Sequence, residues 1–417
     1  MSANSYDVIV LGAGMVGIST ALHLQQRGKA VALVDRRPPA EETSYGNAGI
    51  IQSEAVMPYG FPRELGAILR AAFNRGTDSH LHYSALPELA PFLFRYWQNG
   101  TPERIMRTAV AAEPLVGRCL AAHKAWIDDA DMGHLVRETG YLQIFRNPAA
   151  LDRTAAIKEQ TFQRFGITYQ RLNVASLKSL EPHLTDDLAG GIHFDQPVSV
   201  SNPSALGKAY ADLFGKAGGE FLIADARTLQ KTQSGGWQIM SADSPVTAAN
   251  AVVSLGPWSG ELLKTLGTRV PLAVKRGYHM HYGAKGNAGL SRPVIDTDFG
   301  YAMTPMEQGI RLTTGAEFAR LDAPKTPMQL DKIEPHARDL FPLGDRLEPE
   351  PWLGRRPCLP DMLPAIGRVP GHQGLWANFG HHHLGFTLGP ITGRLLAQMM
   401  TGEPTFTDPN PYRLDRF

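Results

Sequence analysis

The first apolar run of the chain is Tyr6–Leu11 (YDVIVL), short, β-branched and bounded by glycine. Uninterrupted runs of this kind belong to strands buried on both faces, as in a parallel sheet. Ile18–Gln26 then carries apolar residues at helical spacing with Gly28 as its stop, and Ala30–Val34 is a second apolar strand ending at Asp35. The order predicts a βαβ unit. Ala251–Leu255 (AVVSL) and Leu375–Phe379 (LWANF) repeat the buried-strand pattern far along the chain. One sheet is therefore expected to gather strands from near residues 10, 30, 250 and 375.

Other patterns fill the intervals. Residues 60–190 read as mainly helical, with helices over Ala109–Ala130 and Pro148–Phe165 and extended runs at Tyr141–Phe145 and Gly190–Phe194. Asn202–Gly218 is a capped helix, and Phe221–Ala224 and Trp237–Met240 are short strands. From Val270 to Phe318 the alternation is that of an antiparallel sheet. Pro324–Leu340 is helical, and Pro390–Met400 closes the chain as a helix with proline near its start. The expected fold is α/β with two interleaved domains: 1–85, 190–270 and 345–417 in one, 86–189 and 271–344 in a smaller one built on the antiparallel sheet with helices.

The turn between the first strand and helix reads Gly12-Ala13-Gly14-Met15-Val16-Gly17. Gly12 permits the tight turn, Gly14 lets the backbone approach a pyrophosphate, and Gly17 lets the helix pack closely on the sheet. The helix N-terminus presents free N–H groups to phosphate. Asp35 ends the second strand, where a carboxylate accepts hydrogen bonds from ribose hydroxyls and repels a 2′-phosphate. This is a Rossmann-like dinucleotide site, and the motif alone does not separate NAD from FAD. Arg36 and Arg37 follow, either touching adenosine or solvated. The polar loop Thr43-Ser44-Tyr45-Gly46-Asn47-Ala48-Gly49 can lay N–H groups and hydroxyls along a cofactor.

Composition narrows the partners. The net charge of +1 provides no field for nucleic acid, and two cysteines, Cys119 and Cys358, cannot form a disulfide framework or a cysteine-rich metal site. His381, His382 and His383 are consecutive, so their side chains do not converge on one ion, and no metal is expected. His279 and His281 share one face of a presumed strand, either a pocket wall or, slightly favoured, a solvated face. The absence of a basic leader and of a spanning apolar segment predicts a cytoplasmic protein, with peripheral contact at the inner membrane face left open.

Taken in order, Gly12–Gly17 with Asp35, Thr43–Gly49, Gly354-Arg355-Arg356-Pro357 with Pro360-Asp361 and Ile366-Gly367, and Gly380–Gly385 with Gly389 resemble the D-amino acid oxidase superfamily of flavoproteins, most closely the bacterial D-amino acid dehydrogenases. Arg276-Gly277-Tyr278 and Arg311 with Gly315 and Glu317 are weaker matches. The resemblance implies noncovalent FAD, since Cys358 does not match the covalent relatives' pattern. It places Thr43, Ser44, Asn47, Ala48 and Gly49 beside the flavin, Ala226 at adenine and Gly256 near the pyrophosphate. Gly380, His382, Leu384 and Gly385 would lie at the pyrimidine edge, with the following helix aimed at the N1–C2=O region. It also makes Arg356 the substrate carboxylate anchor.

By spacing alone, Arg356 is equally a structural arginine paired with Asp361 or another acid, and Arg355 is the alternative if the register is off by one. Tyr278 and Tyr301 would close the pocket, and His383 would face the substrate. The implied reaction is hydride transfer from Cα of an amino acid to flavin N5, with electrons passing to a quinone, another carrier or oxygen. The run Gly380–Pro390 is similar to enzymes acting on 4-hydroxy-D-proline. Glycine- or sarcosine-type oxidases and a non-catalytic FAD-binding subunit of a larger complex are the competing classes.

Overall fold

A computed structural model describes residues 4–241 and 244–417. Along the chain, β1 (Asn4–Leu11) leads to α1 (Met15–Gln25) and β2 (Val31–Asp35). Next come α2 (Leu86–Asn99), α3 (Cys119–Asp129), β3 (Glu220–Ile223) and β4 (Pro245–Val253). The second half contains β5 (Ala273–Ala284), β6 (Gly309–Thr313), β7 (Ala316–Phe318), β8 (Trp352–Cys358), β9 (Leu375–Phe379) and α4 (Gly385–Thr401).

The first sheet has a parallel core in the order β3-β2-β1-β4-β9. Its strands are the uninterrupted apolar runs of the sequence, and Val8–Leu11 and Val31–Val34 are buried throughout. Trp237–Met240 pairs antiparallel with β4, beyond which Gln230–Lys231 extends the sheet. Helices α1 and α4 pack on this sheet with backbones in close approach. A Cβ on Gly393 would lie 2.8 Å from Ser19 C, and one on Gly389 would lie 2.7 Å from Met15 Cγ. That crossing brings the N-termini of both helices to the same end of the sheet.

The second sheet is larger than expected: it has 11 strands, mostly antiparallel, around the 12-residue β5. β5 pairs with β6, β7 and β8 and with Leu343–Arg346. Two segments numbered with the nucleotide sheet in the sequence division, Gly190–Phe194 and β8, lie in this second sheet. The helix expected over Ala109–Ala130 is two helices, Pro102–Val116 and α3, separated at Gly117-Arg118. The closing helix begins at Gly385, five residues before Pro390. Among the described residues, no helix is long and apolar enough to cross a membrane.

Candidate active site

A cavity of about 1000 Å³ runs from the C-terminal ends of β1 and β2 to the face of the second sheet. That is room for a dinucleotide and a small substrate. Its floor is the glycine turn. Gly12 has φ +106, and a Cβ there would meet Ser254 O at 2.4 Å; a Cβ on Gly17 would meet Gly12 O at 1.7 Å. Gly12 and Gly14 line the cavity, whereas Gly17 shapes the turn from behind. Ser44 Oγ accepts from Met15 N, at the start of α1, at 3.0 Å. Asp35 accepts from Ala13 N at 2.7 Å, and burial raises its carboxyl pKa against that bond. Arg36, Ala226 and Gly256 also line the cavity; Arg36 pairs with Glu42 at 2.8 Å and covers the Trp258 ring.

Thr43, Ser44, Asn47 and Ala48 form the next stretch of wall, and Gly49 lies behind it. Asn47 Oδ1 accepts from Gly49 N at 2.8 Å. A clamp whose contacts the sequence did not reveal holds this loop: Arg311, noticed there only as a weak family match, donates from Nη1 to Tyr45 O and Asn47 O. Arg311 Nε donates to His281 Nε2 at 3.0 Å, and His281 Nδ1 bonds Glu348. Burial lowers the Arg311 pKa to about 10. His279 and His281 are thus buried, not solvated. Donor atoms of His279, His281 and Glu348 lie within 4.8 Å of one another. Both His281 nitrogens are already bonded and a guanidinium adjoins them, so the group works as the loop clamp.

Gly380, His382, His383 and Gly385 line the far end, with Leu384 behind as the N-cap residue of α4. His382 holds the left-handed conformation at φ +57, and its N–H donates to Pro357 O at 2.9 Å. His381 turns away, its Nε2 bonded to Thr392 Oγ1 at 3.0 Å. Neither ring nitrogen of His382 nor Nε2 of His383 has a protein partner. Burial first, then the charges of Arg356 and Lys275, hold the His383 pKa down at about 3.

Arg356 reaches the cavity from β8. Its Nη1 donates to Gly315 O at 2.8 Å and its Nη2 to Thr314 O at 3.2 Å. Its guanidinium lies over Gly277, where a Cβ would come within 2.7 Å of Nη2. Asp361 is occupied by Arg416 at 2.6 Å, and among the described residues no acid pairs with Arg356. Arg355, one residue earlier, projects from the opposite face and donates to Leu321 O at 3.0 Å.

The two tyrosines behave differently from expectation. Tyr278 shares its face with Leu353 and Arg355, and its hydroxyl accepts from Arg276 and donates to Glu317 in a buried network. Its residue borders the cavity, but its hydroxyl is spent away from Arg356. Tyr301 lies outside the cavity. The pleat puts it beside Met303 and Leu312 in the second sheet's core, where its hydroxyl donates to His336 O at 3.2 Å.

The glycine cradle, the two helix N-termini and the unpartnered groups suit a flavin dinucleotide laid across the cavity. Residues 7–399 match the family described as DAO, FAD dependent oxidoreductase. The chain belongs to this family, and FAD is its cofactor. It is an FAD-dependent oxidoreductase of amino acids. It is 30% identical to the D-amino acid dehydrogenase of Chromohalobacter salexigens, with 99% of each chain covered. It is 26% identical to the D-amino-acid oxidase of Bradyrhizobium diazoefficiens, with 98% of each covered. The fold is similar to glycine oxidase from Geobacillus kaustophilus, with a TM-score of 0.76 over 100% of both chains at 19% identity.

Proposed function

We propose that this chain dehydrogenates a D-α-amino acid whose carboxylate is held by Arg356. The observation that carries this reading is a cavity-lining guanidinium bonded only to two backbone carbonyls and facing no acid. A guanidinium offers five N–H donors in a planar fork, so donors remain for a carboxylate. The D configuration rests on the names of the relatives. Held along Gly12, Gly14, Ser44, Asn47 and Gly380, FAD would supply the hydride-accepting chemistry for oxidation at Cα. Arg356 aims the Cα–H bond, and His383, kept neutral, offers a ring nitrogen without adding charge. The amine enters neutral, so no separate base is required, and the imine leaves to hydrolyse to a 2-oxo acid and ammonia.

Replacing Arg356 with Ala should raise KM for amino acids by about two orders of magnitude or more, because a charge-assisted anchor is lost. FAD should stay bound; an unchanged KM would remove Arg356 from this role. A panel of D- and L-alanine, D-proline, 4-hydroxy-D-proline, glycine and sarcosine, read by anaerobic flavin bleaching, separates the substrate classes. The resemblance of the Gly380–Pro390 run places the cyclic amino acids in that panel. Comparing a quinone analogue with oxygen separates dehydrogenase from oxidase. Leu65, Leu69 and Phe73 form an exposed apolar face beside Arg70 and Arg75. This supports peripheral contact with an anionic, quinone-bearing membrane, which flotation with anionic vesicles would check. Noncovalent attachment agrees with the burial of both cysteines and predicts that acid denaturation releases all the flavin.

A further inference from the structure

β8 brings a second guanidinium to the cavity wall, that of Arg355. The strand pairs only with β5 in its sheet, and its other edge meets the Thr43–Gly49 loop, where Thr43 Oγ1 donates to Arg355 O at 3.1 Å. The next residue of that loop, Ser44, accepts from Met15 N at the start of α1, and its Oγ lies 3.4 Å from the position of a Cβ on Gly14. Arg355 is therefore tied to the loop one residue away from the phosphate-facing turn. Trp258 links it to the ribose end. This indole lines the cavity in the turn after β4, with the Arg36 guanidinium 4.4 Å and the Arg355 guanidinium 6.0 Å from its centre. Arg36 directly follows Asp35 at the end of β2. One indole thus gathers a cation from each sheet at the dinucleotide half of the cavity.

The acids around Arg355 are already taken. Glu42 pairs with Arg36 at 2.8 Å and with Arg37 at 3.3 Å. Glu317 pairs at 2.6 Å with Arg276, which stands directly opposite Arg355 in the β5–β8 ladder. Among the described residues, only Nε of Arg355 has a hydrogen-bond partner, Leu321 O at 3.0 Å. Both Nη groups remain open, while the charges of Arg276 and Arg36 bear on the guanidinium. We propose that Arg355 is a cofactor anchor, donating from its Nη groups to the pyrophosphate of FAD from the side opposite the α1 N-terminus. The planar fork fits two phosphate oxygens, and charge-assisted bonds of this kind are stronger than bonds between neutral groups. The glycine turn offers backbone N–H groups and a helix dipole, and Arg36 shares its charge with Glu42. Arg355 adds a full charge committed to no acid. Neighbouring residues of a strand point to opposite faces, so β8 divides its two arginines between the two ends of the cavity. The proposal does not depend on what Arg356 binds.

The test follows FAD release from the holoprotein on dilution, at low and at high salt. Arg355→Met keeps the apolar stem and removes the charge. It should release FAD about tenfold more readily, and the salt dependence of release should flatten. Arg355→Lys should recover most of the retention. ADP carries the pyrophosphate without the flavin, and riboflavin carries the flavin without the pyrophosphate. ADP should compete with FAD about tenfold less well in Arg355→Met than in the wild type, whereas riboflavin should bind the two flavin-free proteins equally. Wild-type retention of FAD and ADP by Arg355→Met overturns the proposal. Equal weakening of ADP and riboflavin overturns it too, since that marks lost packing and not a lost phosphate contact. A raised KM for amino acids with FAD held normally would assign Arg355 to the substrate and overturn it as well. If Arg355→Met does not fold, Arg355→Gln, which keeps an N–H for Leu321 O, is compared with Arg355→Lys by ADP competition. Equal affinities in that pair overturn the proposal.

Discussion

Gly277 shows how closely the Arg356 guanidinium is held. The Arg356 guanidinium occupies the space a side chain would need, with Cζ at 3.0 Å from the position of a Cβ. Gly277→Ala should push the guanidinium by a few tenths of an ångström and raise KM about tenfold, since small misplacements of a positioning group are costly. An unaltered flavin spectrum would show that the cofactor site is intact, and an unaltered KM would show that Arg356 tolerates the shift. His383 gives a prediction about pH. With its pKa held near 3 by burial, the imidazole is neutral throughout the range from about pH 5 to about pH 9. The acid limb of kcat/KM should therefore belong to the substrate amine and stay in place in His383→Gln. A limb that moves would assign it to the imidazole.

Among the elements, the Tyr45–Asn47 loop has no regular structure of its own and depends on the Arg311 clamp. Arg311→Met frees two backbone carbonyls and should weaken FAD retention about tenfold, measured by flavin release on dilution. α3 secures the start of α4 in a comparable way. His123 Nε2 donates to Phe386 O at 2.9 Å, and Nδ1 accepts from Tyr210 Oη at 3.0 Å. Burial lowers the His123 pKa to about 4. Because this folded value lies below the unfolded value of about 6.5, the stabilisation is complete above about pH 6.5 and is lost as pH falls towards 4. The stability difference between wild type and His123→Gln should shrink by about 2 kcal/mol between pH 7.5 and pH 5. Denaturant titrations at the two pH values would check this, and a constant difference would refute it.

For the whole molecule, cavity walls come from both sheets, so FAD should stabilise them together. At about 100-fold excess over its Kd, FAD should add about 2.7 kcal/mol to a single unfolding transition. Two transitions, only one of them shifted, would contradict this. The parallel sheet was legible because strands buried on both faces leave continuous apolar runs, as in Val8–Leu11 and Ala251–Val253. The glycine turn and Asp35 were legible because each meets a local geometric demand, whereas Arg356 was singled out through the family resemblance and not by its spacing. The second sheet was less so. Tyr141–Phe145 pairs in parallel with Val294–Asp296, some 150 residues away, and such pairings leave no local mark. Tyr301 was misplaced because a tyrosine in a strand does not reveal which face it occupies, and Tyr278 borders the cavity with its hydroxyl committed to Arg276 and Glu317. Gly277 and Arg311 were noticed only as weak family matches, and their roles were not legible because they depend on cross-strand partners.

The seam between β8 and the histidine loop has a practical consequence. His381 bridges to Cys358, and His382 N bonds Pro357 O, so the strand bearing Arg356 is stitched to the loop before α4. A chimera that grafted a relative's strand without that loop would break these bonds and shift the Arg356 guanidinium against the histidine loop. Residues 352–385 are therefore best exchanged as one block when specificity is redesigned.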